Sequence, residues 1–164
     1  MSLSVSEVID HSPELVWAVV TDWSKARYWL GVENLRPLEE GSVGEGTRLI
    51  FSARGQAQPM TITRWQPNEA LTLESPQGGL TAVYEYSFSE QEGSTRVELR
   101  AQCTANGRFW KLVLPVLSWL LVRSERGQLA ALKRATDALV AAAEKQADAL
   151  EASREIQSGN RQAR

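Results

Sequence analysis

Cysteine and histidine are almost absent from this 164-residue chain, which contains one of each, Cys103 and His11. A single cysteine excludes an internal disulfide, and the two residues together fall short of the ligand set of a zinc site. The sequence has no dinucleotide fingerprint and no serine–histidine–aspartate signature. The glycines of residues 41–46 lack the lysine and following helix that a phosphate-binding loop requires. We therefore expect no metal and no cofactor, and the sequence favours binding over catalysis.

An excess of charge of one sign is also missing. The chain has 18 basic and 20 acidic residues, a net charge of −2, so no bulk electrostatic attraction to nucleic acid is expected. The apolar run RFWKLVLPVLSWLLV at 108–122 contains Lys111 and is shorter than the roughly 20 apolar residues of a membrane span. The N-terminus has neither the basic nor the apolar region of a secretory signal. These features predict a cytoplasmic protein without a membrane span, and they leave contact with a membrane surface open.

The first two thirds of the chain have the sequence pattern of one strand, two short helices and then a series of strands. Residues 3–9 alternate apolar and polar side chains, which predicts a β-strand. Ser12 and Pro13 suit the start of a helix, and helical spacing then predicts two short helices that end at Gly31. Between residues 32 and 104, short alternating runs separated by turn clusters predict about six consecutive antiparallel strands.

The last third of the chain has the composition of one long helix. Alanine, leucine and charged residues dominate from 108 to about 150, and Pro115 is expected to kink or restart the helix. An antiparallel sheet with one apolar face needs a cover, which this helix supplies. We predict an α+β fold in which a curved antiparallel sheet of about seven strands wraps around the C-terminal helix. The domain is predicted to span residues 1–147, and the polar tail at 148–164 is expected to fray.

Two predicted strands show most clearly which side of the sheet faces the helix. The strand at 80–88 places Tyr84, Tyr86 and Phe88 on one face, and the next strand places Leu99 on its apolar face. Consecutive inward tyrosines bring two hydroxyl groups into a dry region, where each needs a hydrogen-bond partner. Either a pocket with water or a polar ligand supplies that partner, or the hydroxyls lie at the rim.

The predicted long helix has a mixed inward face. With a rotation of about 100° per residue, Ser124, Glu125 and Gln128 share the face of the apolar residues around them. Two interpretations stay open: these polar residues lie in solvent at the rim, or they form a polar patch that orients a ligand inside an apolar cavity. The predicted ligand site combines strand and helix residues: Tyr84, Tyr86, Phe88, Leu99, Leu117, Leu121, Ser124, Glu125 and Gln128.

Two side chains near the first predicted helix receive no function. His11 is placed in a surface turn, where the adjacent Asp10 is the one carboxylate that the sequence suggests as a partner, so a general base there is not favoured. Core packing is the default interpretation of each tryptophan, and for Trp17, which falls beside the apolar stripe of its helix, an outward orientation stays open.

Four stretches, taken in order, resemble the START-like, helix-grip (SRPBCC) superfamily. SPELVWAVVTDWSKARYW at 12–29 is similar to its first helix pair, and VGEGTRL at 43–49 to its glycine turn. ITRWQPNEALTLE at 62–74 is similar to a strand–turn–strand with a central proline, and LLVRSERGQLAALK at 120–133 to its terminal helix. The resemblance covers roughly residues 2–143. It includes the lipid-transfer START domains, the birch pollen allergen class, and the polyketide cyclase/dehydrase and lipid-transport family.

The resemblance implies a hydrophobic small molecule held between sheet and helix, but fold alone leaves the function open. We expect binding or transport of a lipid or polyketide-like compound. One alternative is a polyketide cyclase or dehydratase that uses Glu125, the one catalytic candidate, with Tyr84 or Tyr86. The other alternative is a protein-interaction module of the chaperone-cofactor or ribosome-associated type, with an exposed patch at Trp119 or Leu120. A monomer and a homodimer are both compatible with the sequence.

Overall fold

A computed structural model describes the backbone of residues 2–53, 55–77, 79–105 and 108–162, and the side chains of residues 4–53, 55–76, 79–104 and 127–154. The elements follow the predicted order. Their bounds are β1 Ser2–Ile9, α1 Pro13–Thr21, a 3₁₀ turn Trp23–Lys25, α2 Ala26–Trp29, β2 Glu33–Pro37, β3 Arg48–Ala53, β4 Gln56–Gln66, β5 Ala70–Gln77, β6 Leu80–Gln91, β7 Ser94–Ala105 and α3 Arg108–Gln162.

Within these residues, seven strands form one antiparallel sheet in the order β1-β7-β6-β5-β4-β3-β2. Strands β2 to β7 are a meander of consecutive neighbours, and β1 adds to the free side of β7. The long strands β6 and β7 are joined by a two-residue turn, Glu92 and Gly93, which both have positive φ. That backbone matches the right-handed twist of a hairpin, so the turn fixes the register of the two central strands.

The Trp17 side chain, for which the sequence left an outward orientation open, is buried in the core. Its ring lies edge-on to Trp65 and to Phe88, with centroids 5.0 and 5.7 Å away. Helical periodicity describes one apolar stripe on one helix. It carries no information on Trp65, which β4 brings alongside α1 and which supplies a second apolar surface for this ring.

A polar cluster attaches α3 to the end of β1. The Lys133 ammonium donates to the carbonyl of Val8 at 3.1 Å and lies 3.9 Å from the Asp10 carboxylate. His11 Nε2 lies 2.9 Å from Asp137 Oδ1. The sequence suggested Asp10 as the carboxylate nearest His11. The residue in contact is instead Asp137, 126 positions away in the chain, which only the folded helix brings close.

The long helix α3 is continuous over 55 residues, a length of about 80 Å. It passes Pro115 without a break, so it does not restart there. Every side chain from 141 to 154 is exposed, and Ala143 and Glu144 still line an open groove beside α1. We name the part of α3 from Glu144 onward the extension. The backbone stays helical to Gln162, while the domain boundary at 147 and the fraying of the tail stay predictions.

No helix in the described part of the chain is both long enough and apolar enough to cross a membrane. The apolar run at 108–122 has a helical backbone as predicted, but its side chains lie outside the described residues.

Candidate functional site

The inner face of the sheet, which α1 and α3 cover, differs in side-chain size from one end to the other. At one end, Leu71, Tyr86 and Leu99 are direct register partners on β5, β6 and β7, and each is at most 1% exposed. Leu129 and Leu132 of α3 are also buried in this cluster. We name this region the packed end. Large interlocking side chains leave little free volume there.

Four residues farther along the same three strands, the inner face carries small side chains. Ser75, Ala82 and Cys103 are again direct register partners. Ser75 is buried, whereas Ala82 and Cys103 are only half-buried. We name this region the small-residue end. Small side chains at matched positions on three central strands fill less of the space above the inner face than the large side chains of the packed end do.

A polar contact marks the boundary between the two ends. The Tyr86 hydroxyl donates to Gln128 Oε1 at 2.8 Å, which joins the central strand β6 to α3. Burying a phenol hydroxyl is costly unless it is hydrogen-bonded, and Gln128 supplies that bond. Leu129 and Leu132 follow Gln128 in α3 and belong to the packed end. The part of α3 before Gly127 therefore continues toward the small-residue end.

The structure brings two of the predicted site residues together, Tyr86 and Gln128. Phe88 and Leu99 are buried in the hydrophobic core, and Tyr84 is half-buried between the two ends. Four other predicted residues have side chains outside the described part of the chain: Leu117, Leu121, Ser124 and Glu125.

Sequence reasoning missed Ser75, Ala82 and Trp29. The alternation on β5 and β6 already put Ser75 and Ala82 on the inner face, so small size at an inward position was the available signal. The Trp29 ring lies edge-to-face against Tyr86 with centroids 5.7 Å apart, and its buried indole N–H has no hydrogen-bond partner among the described residues. Nothing local in the sequence predicts that contact.

Cys103 is one of the three inner-face residues that define the small-residue end. Burial raises the pKa of its thiol, so the group stays protonated near neutral pH. A protonated thiol is a small apolar surface rather than a nucleophile. Among the described side chains, no cluster of three or more histidine, cysteine, aspartate or glutamate residues is arranged to hold a metal ion.

Comparisons with known proteins agree with this fold. The Zhui aromatase/cyclase from Streptomyces sp. R1128 superposes with a TM-score of 0.68 at 15% identity, covering 85% of this chain and 95% of that one. The protein TTHA0849 from Thermus thermophilus gives 0.65 at 19% identity, covering 85% and 99%. The Staphylococcus aureus protein SA2116, described as of unknown function, gives 0.67 at 13% identity, covering 85% and 95%.

At these identities the likeness shows the fold, and the predicted helix-grip fold is confirmed. A search of the curated proteins finds no match. The family model described as polyketide cyclase / dehydrase and lipid transport matches residues 1–137. The chain belongs to this family.

Proposed function

We propose that the protein binds a hydrophobic or aromatic small molecule, such as a lipid or polyketide-like compound, between the small-residue end of the sheet and α3. The observation that carries this proposal is the change from large to small side chains at matched positions of β5, β6 and β7. Ligand sites combine mostly apolar walls with a few placed polar groups. Family membership supports the proposal, since the family includes lipid transport as well as polyketide chemistry.

Gln128 gives the proposed site its polar contact. Its Oε1 accepts from Tyr86, and an amide nitrogen has two hydrogens to donate. We propose that this nitrogen donates to a carbonyl or hydroxyl oxygen of the ligand. Tyr84, which lies between the two ends, remains a proposed contact on the sheet, whereas Phe88 and Leu99 are buried away from the small-residue end and stay predictions from the sequence alone. The proposed contacts on the preceding turns of α3 are Leu117, Leu121, Ser124 and Glu125.

We favour binding or transport over catalysis. The Tyr86 hydroxyl hydrogen-bonds to an amide, which neither takes up nor releases a proton near neutral pH. The alternative is a cyclase or dehydratase that uses Glu125 with Tyr84 or Tyr86, in keeping with the other half of the family description. This alternative predicts that the protein converts a substrate to a product and that Glu125→Gln abolishes the conversion. The cytoplasmic location stays a prediction from the low cysteine content.

Ligand capture followed by a blocking substitution tests the proposal. Native mass spectrometry of the protein mixed with apolar extracts should show retained small molecules, and tryptophan fluorescence should then give a dissociation constant for each. Ala82→Leu fills the small-residue end and should weaken binding at least about tenfold. Ala147→Leu adds the same atoms at an exposed position of α3 and should leave binding unchanged.

Two results would count against the proposal. No compound is retained from broad extracts, or Ala82→Leu binds as tightly as the unsubstituted chain. Retained ligand that is converted to a product would favour the enzyme. An empty interior combined with a stable protein complex would favour the interaction module.

A further inference from the structure

The long helix α3 carries a second apolar stripe, which the fold does not cover. Its members are spaced alternately by four and three residues, the spacing of the a and d positions in a coiled coil. They are Ala131, Ala135, Ala138, Ala142, Lys145, Ala149 and Ala152, which we name the alanine seam. The first two are half-buried, and the other five are exposed. Such a seam is complementary to another helix with the same spacing.

The first half of the alanine seam is the floor of an open groove between α2 and α3, with a volume of about 380 Å³. Lys25 and Tyr28 line it from the short helices, and Arg134 lines it from α3. Both charged residues are basic, and no salt bridge to either is found among the described side chains. The groove therefore has an apolar floor and a basic rim.

The second half of the alanine seam lies on the exposed extension of α3. A lone helix of this length is marginal in water and gains most of its stability from packing. Residues 144–162 have four acidic and three basic side chains, a net charge of −1. The extension is thus opposite in charge to the groove and has the same small apolar seam.

We propose that the alanine seam is a dimer interface, in which α3 of two copies of this chain pack antiparallel and the extension of each lies in the groove of the other. The spacing sets the register, because every seam position from Ala135 to Ala152 then meets another seam position, and Ala131 meets Ile156. Ala138 lies opposite Ala149, and Ala135 lies opposite Ala152. Alanine contacts allow the two helix axes to approach closely. The two-fold axis passes between Ala142 and Lys145, which face each other.

The same arrangement covers two exposed apolar side chains. Leu150 is 57% exposed and lies beside the seam on the side of Leu139, a residue that lines the groove. In an antiparallel pair, each flank of one helix lies next to the same flank of the other helix. Leu150 of one copy therefore approaches Tyr28 of the other, which is 54% exposed. Lys145 opposes association, because the two copies of this residue come close to the axis. A single lysine in a seam specifies register at a cost in affinity.

Sedimentation equilibrium over a range of protein concentrations tests the interface. The unsubstituted chain should reach twice its 18.2 kDa mass. Ala149→Glu, in the seam, should raise the dimer dissociation constant at least about tenfold, and Lys145→Ala should lower it. Ala147→Glu is the matched control, since Ala147 is exposed on the opposite side of the same extension. A monomer at every concentration, or equal effects of the two glutamate variants, would overturn the proposal.

Disulfide trapping tests the antiparallel register. In a Cys103→Ser background, Ala138→Cys combined with Ala149→Cys should oxidise to a covalent dimer, since disulfides need Cα atoms about 4.4–6.8 Å apart. Ala149→Cys alone should stay unlinked. Equally fast linking of the single variant indicates parallel helices and contradicts the register, and no linking of the double variant contradicts the interface.

Discussion

The packed end and the small-residue end lie on the same three strands, four residues apart, and differ in what they do with the inner face of the sheet. Tyr86 and Leu99 fill one end, where helix and sheet are in full contact. Ala82 and Cys103 occupy the matched positions at the other end and stay half-buried. One alternating pattern therefore produces both ends, and side-chain volume decides whether an end is packed against the helix or is available for the proposed ligand.

This division has an energetic consequence. Buried apolar side chains contribute most of the stability of a domain, and each cubic ångström of unfilled core costs about 24 cal/mol. An unfilled volume at the small-residue end, as the proposed site requires, would carry that cost, and the packed end would offset it. Functional sites commonly deviate from best packing in this way.

Truncation at the packed end should have the largest effect on stability. Leu99 is fully buried, so Leu99→Ala removes packing and leaves a cavity. We expect it to lower the free energy of unfolding by about 2–5 kcal/mol. Urea unfolding followed by circular dichroism measures this, with Leu38→Ala as the control because Leu38 is 47% exposed. Equal losses in the two variants would show that the packed end is not rigidly packed.

Removal of the boundary hydrogen bond should have a smaller effect. Tyr86→Phe deletes the hydroxyl that donates to Gln128 and should cost about 0.5–1.5 kcal/mol. Adding Gln128→Leu removes the amide left without its partner, so the double variant should lose less than the sum of the single losses. A double-mutant cycle by urea unfolding measures this coupling. Strict additivity would contradict an energetic link between β6 and α3 at this position.

The smallest effect is expected at Cys103, and it depends on pH. Burial raises the pKa of this thiol, so alkylation by iodoacetamide should reach half its maximal rate above the ordinary thiol value of about 8.5. The native state holds the proton more tightly than the unfolded chain. The corresponding stability is thus present at neutral pH and declines as pH rises past the ordinary thiol pKa. If the alkylation rate instead reaches half its maximum at or below about pH 8.5, the Cys103 thiol is not buried at the small-residue end.

Local pattern was enough to predict most of the fold. Alternation identified β6 and β7, and the glycine- and proline-containing turns separated the strands between residues 32 and 104. The candidate site was predicted less completely. The sequence placed Tyr86 and Gln128 on facing elements, but the size contrast that makes Ser75 and Ala82 informative depends on strand register. The partner of Tyr86 in α2, Trp29, has no signature in the sequence.

The sequence by itself determined the element order and the apolar faces, and its single cysteine excluded an internal disulfide, because periodicity and composition are local properties. Tertiary structure decided which residues meet across long chain separations. It paired His11 with Asp137, turned Trp17 inward against Trp65, and aligned Ser75, Ala82 and Cys103 in one row. The physical reason is that register and helix placement follow from the packing of the whole core, which no single segment specifies.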